Sequence, residues 1–207
     1  MKKKIFSVLL CITMLMCSST GCGVDDNLSV DSTLEQSQSV EYETIKPPED
    51  GWTREEFMST VYLCGKQLTY PLTMEYLGED FSLDEANKAD LNDSIGFPLL
   101  YKNNEIGRVF FKKNSGESSG YGNITTMMFN DTFSKSDPDC IVVNGISLGS
   151  SNTDVKSALG TPGTGSTYGE YEYTVKNGDD RFIDIVLNKE KEVAVINIYL
   201  KREWEYE

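Results

Sequence analysis

The C-terminal third of the chain alternates apolar and polar residues with a period of two. Tyr171, Tyr173 and Val175 alternate with Glu172 and Thr174. Ile183, Ile185 and Leu187 alternate with Asp184 and Val186, and Ala194, Ile196, Ile198 and Leu200 follow a polar turn at 188–192. This pattern predicts three antiparallel strands with one buried face. Val193 and Val195 place apolar groups on the other face too, so that face is not wholly wet. Upstream, Ile141-Val142-Val143 runs into Asn144-Gly145 and a short return over Ile146, Ser147 and Leu148, which predicts a tight hairpin. Between hairpin and strands, Val155, Ala158 and Leu159 recur at helical spacing. Ser151 with Asp154 resembles a capping box, Gly160 is placed to stop the helix, and Pro162 blocks its continuation. So short a helix is marginal by itself and has to pack on the sheet.

The earlier half can be laid over this order with an offset of about eighty residues. Cys64-Gly65 then takes the place of the Asn144-Gly145 turn. The segment from Tyr70 to Gly78 takes the place of the short helix, with Pro71 suited to its first position and Gly78 to its end. Strands are expected at 106–112 and 124–130, separated by the Gly-rich loop 114–122. Thr53 and Glu56 also suit a capping box for a helix through Phe57 and Val61, whereas the β-prone triplet Val61-Tyr62-Leu63 ahead of a turn favours a strand over 60–64. The expected fold class is α+β: two related units, 49–138 and 139–207, each a short helix packed on an antiparallel sheet.

The first forty-eight residues belong to neither unit. Lys2, Lys3 and Lys4 precede an apolar run from Ile5 to Cys17, whose thirteen residues would rise only about 20 Å as a helix. That is short for a membrane span and suits a secretory signal covering 1–21. The exit Ser18-Ser19-Thr20-Gly21-Cys22 resembles the lipobox of bacterial lipoproteins. This resemblance implies cleavage before Cys22, acylation of its thiol and an extracytoplasmic folded part. From Cys22 to Pro48 the chain is rich in Ser, Asp, Glu, Gln and Thr, and it reads as a flexible acidic spacer.

Leu148-Gly149-Ser150-Ser151-Asn152-Thr153-Asp154-Val155, then Leu159-Gly160-Thr161-Pro162, then tyrosine-bearing and apolar strands, resembles the repeat of small bacterial envelope domains. These include the β-lactamase-inhibitor-like fold and related outer-membrane assembly lipoproteins. The resemblance implies a short helical element on an antiparallel sheet, sometimes in tandem, and a role in binding other proteins.

Charge and chemistry narrow the function further. The chain carries 19 basic and 33 acidic residues, a net charge of −14, and no histidine. The charge disfavours nucleic acid and anionic surfaces, and the missing imidazole removes histidine bases and histidine-ligated zinc. No cofactor or metal is expected: Asp80, Asp84, Asp90 and Asp93 lack calcium-loop spacing. The Gly-rich stretch 160–166 lacks a phosphate-binding lysine and follows its helix instead of opening one. Asp179 and Asp180 sit in a turn, with Arg181 as their available counter-charge. Cys64 and Cys140 lie near corresponding turns and are open to either a disulfide or two free thiols. Tyr168, Tyr171 and Tyr173 are the candidate binding surface, because aromatic groups add contact area with a polar handle. The expectation is a non-catalytic envelope lipoprotein that binds a protein, held to the membrane through Cys22. Binding of a glycan or small ligand, and an acidic-site cell-wall hydrolase, are the alternatives.

Overall fold

The computed structural model describes residues 42–113, 121–134, 137–162, 171–177 and 180–200, all within the compact unit Ser39–Glu207. For 171–177 and 180 the description covers the backbone. The segment around Thr60 holds a helix and then a strand: the helix includes Phe57 but stops short of Val61, which belongs to the strand. Thr53 and Glu56 form a reciprocal capping box that opens α1, Arg54–Ser59. The helix stops at Thr60, and the β-branched and aromatic triplet becomes β1, Val61–Leu63. Cys64 and Gly65, with φ of 48° and 79°, then turn the chain into β2, Lys66–Gln67. Two successive positive φ values are what a two-residue hairpin turn needs to match strand twist.

The next helix is shorter than the sequence suggests. α2 spans only Met74–Leu77, because Thr73, and not Pro71, supplies its start by accepting the Tyr76 N–H; the Tyr70–Pro71 peptide is cis. Gly78 ends it at φ 94°. The chain continues through β3 (Phe81–Leu83), a 3-10 turn at Glu85–Asn87, β4 (Ala89–Asp90), β5 (Ser94–Tyr101), β6 (Asn104–Lys112) and β7 (Ile124–Asn130). The second half opens on β8, Ile141–Val143, and turns at Asn144-Gly145 with φ of 48° and 82°. α3, Asn152–Leu159, follows with the reciprocal Ser151–Asp154 box, and Gly160 ends it at φ 88°. The chain then forms β9 (Tyr171–Asn177), β10 (Asp180–Leu187) and β11 (Val193–Tyr199).

These strands make two antiparallel sheets. The larger has eight strands in the order β3-β5-β6-β7-β11-β10-β9, with β4 added on β5, and the smaller is β2-β1-β8. The two halves of the sequence therefore meet inside both sheets, at β7·β11 and at β1·β8. The fold is α+β, and one continuous apolar core lies between the sheets. Phe97, Val109, Met127, Ile196, Ile198 and Ile185 of the large sheet share it with Leu63, Ile141, Val155 and Leu159. Phe57 stacks on Phe182 with ring centroids 5.6 Å apart. The Trp52 indole N–H donates to the Leu159 carbonyl at 3.1 Å, and Arg54 donates to the Leu200 carbonyl at 2.7 Å. These polar links tie α1 to both α3 and the end of β11 while satisfying groups that burial would otherwise penalise.

Composition alone assigns residues 42–48 to the spacer, but they lie against the folded part. The Tyr42 ring packs edge-on against Tyr62 at 5.2 Å, and the Glu43 N–H donates to the Tyr62 hydroxyl. Asn144, only 3% exposed, accepts from the Ile45 N–H and donates to the Ile45 carbonyl, both at 2.8 Å. The same side-chain amide donates to the Ala158 carbonyl at 2.6 Å, near the end of α3. One turn residue thus clamps the incoming segment like a strand partner and satisfies a helix-end carbonyl.

Candidate functional site

The large sheet has two faces, and only one contributes to the core. On β7, Met127 and Phe129 are buried while Thr126, Met128 and Asn130 are half-exposed. On β11, Ile196 and Ile198 are buried while Val195, Asn197 and Tyr199 are half-exposed. Register carries this division across the sheet, since Asn197 lies beside Met128, which lies beside Arg108. The outer face therefore presents Phe110, Met128, Val195 and Val186, half-buried and outside the core cluster. Val195 and Val186 are direct register partners, and Met128 on β7 and Phe110 on β6 follow at successive diagonal positions, which makes a diagonal apolar strip across four strands.

The sheet geometry shapes this strip at two points. Phe110 lies across Gly96, where an added Cβ would approach the ring to 2.6 Å, so a glycine in β5 lets the aromatic group lie flat on the backbone. In β10 the register shifts between Arg181 and Ile183. This bulge turns Phe182 inward to Phe57 and leaves Arg181 beside Asp184. Asp184 is only 5% exposed. It accepts from Arg181 Nε at 2.7 Å and from the Tyr199 hydroxyl at 2.8 Å, and Arg181 also pairs with its second oxygen. The guanidinium lies 4.8 Å from the Tyr199 ring centre. At the other end of the row, Arg108 stands 5.4 Å from the Phe133 ring. Between these charged ends, Asn197 holds a buried Oδ1 with no donor among the described residues. The arrangement is an apolar strip with a preorganised polar cluster at one side and the enclosed Asn197 amide oxygen in the middle. Such a surface suits protein contact.

The residues singled out in the sequence fall elsewhere. Tyr171 and Tyr173 are on β9, the last strand of the large sheet, where their backbones pair in register with Leu187 and Ile185. Tyr168 and Cys22 lie outside the described residues, as do Asp179 and most of the Gly-rich stretch after Pro162. Cys64 and Cys140 are free thiols, and burial pushes them up to about 12 and about 11 respectively. Asp84 caps the 3-10 turn, accepting from Ala86 and Asn87; the Asn87 amide and these backbone bonds hold its carboxyl below the usual range. Asp90 pairs with Lys113. Among the described residues no group of three or more acids and thiols gathers to hold a metal ion, and no helix is long and apolar enough to cross a membrane. Sequence reasoning missed the strip because Phe110, Met128 and Val195 each sit inside an apolar run (Val109–Phe111, Met127–Phe129, Ala194–Ile196) whose other members include core residues, so nothing local marks the outward one. The available signals were Val195 and Val186, which break the alternation of β11 and β10 on their polar sides.

Comparison with protein-family models, with curated proteins and with solved structures gave no match to this chain.

Proposed function

We propose that this chain is a bacterial envelope lipoprotein, acylated at Cys22 and facing outward, whose domain binds a protein through the outer face of its large sheet. The observation that carries the reading is the half-buried strip of Phe110, Met128, Val195 and Val186 outside the core, with the enclosed Asn197 amide oxygen among them. A partner's apolar side chains would cover the strip, and its polar groups would meet the half-exposed Arg181 beside it. The lysine-led apolar leader and the Gly21-Cys22 junction support the membrane attachment. The clamp on residues 42–48 would hold the domain close to its tether.

The same reading takes the domain as two related units. Each half runs hairpin, short helix and then strands, five in the first half (β3 to β7) and three in the second (β9 to β11), and both hairpins turn on paired positive φ values. The order β5-β6-β7 followed by β11-β10-β9 fits two copies joined at their last strands.

Two measurements test the proposal. Mass spectrometry of the membrane-extracted chain should find residues 1–21 removed and acyl mass on Cys22; a soluble, unmodified chain would refute the anchoring. Crosslinking and affinity capture from the native envelope should yield a protein that Met128→Glu and Val195→Glu both lose while circular dichroism stays unchanged. Hot-spot disruption of this kind weakens binding about tenfold or more. Retention of the same partner by both variants would refute the site, and glycan turnover without protein capture would refute the binding role.

A further inference from the structure

We propose that Cys64 and Cys140 close a cross-strand disulfide by exchange with an extracytoplasmic disulfide oxidant, with Cys64 reacting first and Cys140 resolving. The two residues face each other one step beyond the Leu63–Ile141 register pair. The Cys64 N–H donates to the Cys140 carbonyl at 2.6 Å. Cys64 opens the turn after β1 and Cys140 ends the 3-10 turn before β8, and this single bond brings their backbones to a sheet-like approach of about 5–6 Å, within the roughly 4.4–6.8 Å between Cα atoms that a disulfide spans. The bond would join β1 to β8 where the two halves of the sequence meet.

A second observation concerns the turn itself. Cys64 holds φ 48°, as does Asn144 at the matching place in the other hairpin. Asn adopts this left-handed region readily, and most other side chains do so at a cost. A cysteine in the less favourable setting puts a thiol opposite Cys140.

The surroundings set the order of attack. Cys64 lines an open pocket of 480 Å³ with Lys66, Asp80 and Tyr101. Cys140 is fully buried, its Sγ 3.8 Å from the Ile106 carbonyl. An oxidant therefore reaches Cys64 alone. The Cys64 thiolate attacks one sulfur of the oxidant, whose S–S bond breaks and releases a thiolate. Cys140 then attacks Cys64 Sγ as a thiolate, breaking the mixed disulfide and expelling the second oxidant thiolate. Two cysteine thiols are oxidised, one oxidant disulfide is reduced, and the two departing thiolates take up the two protons. Burial keeps both cysteines protonated at neutral pH, so the exchange is slow in the folded chain.

Only the source of oxidant rests on the outward placement proposed above, and the test supplies its own. The full chain is incubated with excess oxidised glutathione until its peptide map stops changing, well past the point at which a denatured sample of the same chain has fully oxidised, then alkylated and mapped by peptide mass spectrometry. The expected product links the peptides carrying Cys64 and Cys140, keeps its far-ultraviolet circular dichroism and melts higher than the reduced chain. Cys140→Ser should retain one glutathione on Cys64, and Cys64→Ser should leave Cys140 unmodified. Full alkylation of both cysteines in the oxidised wild type, linkage of either to a leader cysteine, or a glutathione on Cys140 in Cys64→Ser would overturn the proposal. A closed bond in a chain that proves unacylated at Cys22 would sink the outward placement and leave the disulfide standing.

Discussion

Asn144 offers the sharpest test of how the tether meets the domain. Its side chain makes three hydrogen bonds, two to Ile45 and one to Ala158, while its backbone holds φ 48°. Glycine at this position keeps the backbone comfortable and deletes all three bonds. At about 1 kcal/mol net for each, partly offset by the freedom the released segment regains, Asn144→Gly should cost about 2–3 kcal/mol. Alanine deletes the same bonds and adds the left-handed penalty of about 1 kcal/mol, so Asn144→Ala should cost about 3–4 kcal/mol. Urea denaturation measures both, and native-state hydrogen exchange shows where the loss lies. The Ile45 amide, protected through Asn144, should exchange freely in either variant while amides of β7 and β11 remain protected near the global limit. If the Ile45 amide stays protected, or both variants lose less than about 0.5 kcal/mol, the clamp is not what holds residues 42–48.

Other consequences follow from packing and ionisation. At Gly107 a new Cβ would meet the Phe129 ring at 2.6 Å and the Met128 carbonyl at 2.7 Å, so Gly107→Ala should destabilise by about 2–3 kcal/mol; at Gly96 the obstacle is only the half-exposed Phe110 ring, and Gly96→Ala should cost about 1 kcal/mol or less. Equal thermal shifts for the two would contradict this packing. Asp184→Ala should cost about 2 kcal/mol by urea melt because it removes the charged hydrogen bonds from Arg181 and the bond from Tyr199, whereas Tyr199→Phe removes one hydroxyl bond and should cost about 1 kcal/mol. The pH dependence has a definite sign. Both thiols sit above their ordinary value of 9.0 in the folded chain, so above that pH the unfolded chain releases these protons first. The contribution of the neutral thiols is thus complete below about 9 and is lost as pH rises toward 12. Urea midpoints measured from pH 8 to 11 should fall more steeply in the reduced wild type than in a Cys64→Ser, Cys140→Ser double variant.

What could be read from the sequence follows the strength of local signals. α3 was fully legible because Ser151, Asp154 and Gly160 mark both ends and all three act as written. The Asn144-Gly145 turn and the strands β6, β7, β10 and β11 were legible for the same reason. β5 was not, since Gly96 and Pro98 interrupt its apolar run. The structure explains how a proline survives there. β3 pairs with β5 from Leu99 onward and β4 pairs at Ile95 and Gly96, leaving Pro98 at the gap between them. Its carbonyl accepts from the Asp84 N–H, and no ladder partner on that side requires the N–H it lacks. The clamp on residues 42–48 was hidden for a different reason: it depends on a buried amide about a hundred residues away, and no local composition encodes that. The outer strip, assembled from single residues on four strands, becomes visible only once register is known.

The binding face can be tested most directly in intact cells. A photo-reactive residue placed at Val195 in the full chain, on the outer face of β11, should crosslink to one discrete protein; the same residue at Leu91, exposed near β4, should not. The account predicts a single adduct from position 195 that disappears when Met128→Glu is added. No protein adduct at 195, or identical adducts from 195 and 91, would contradict it.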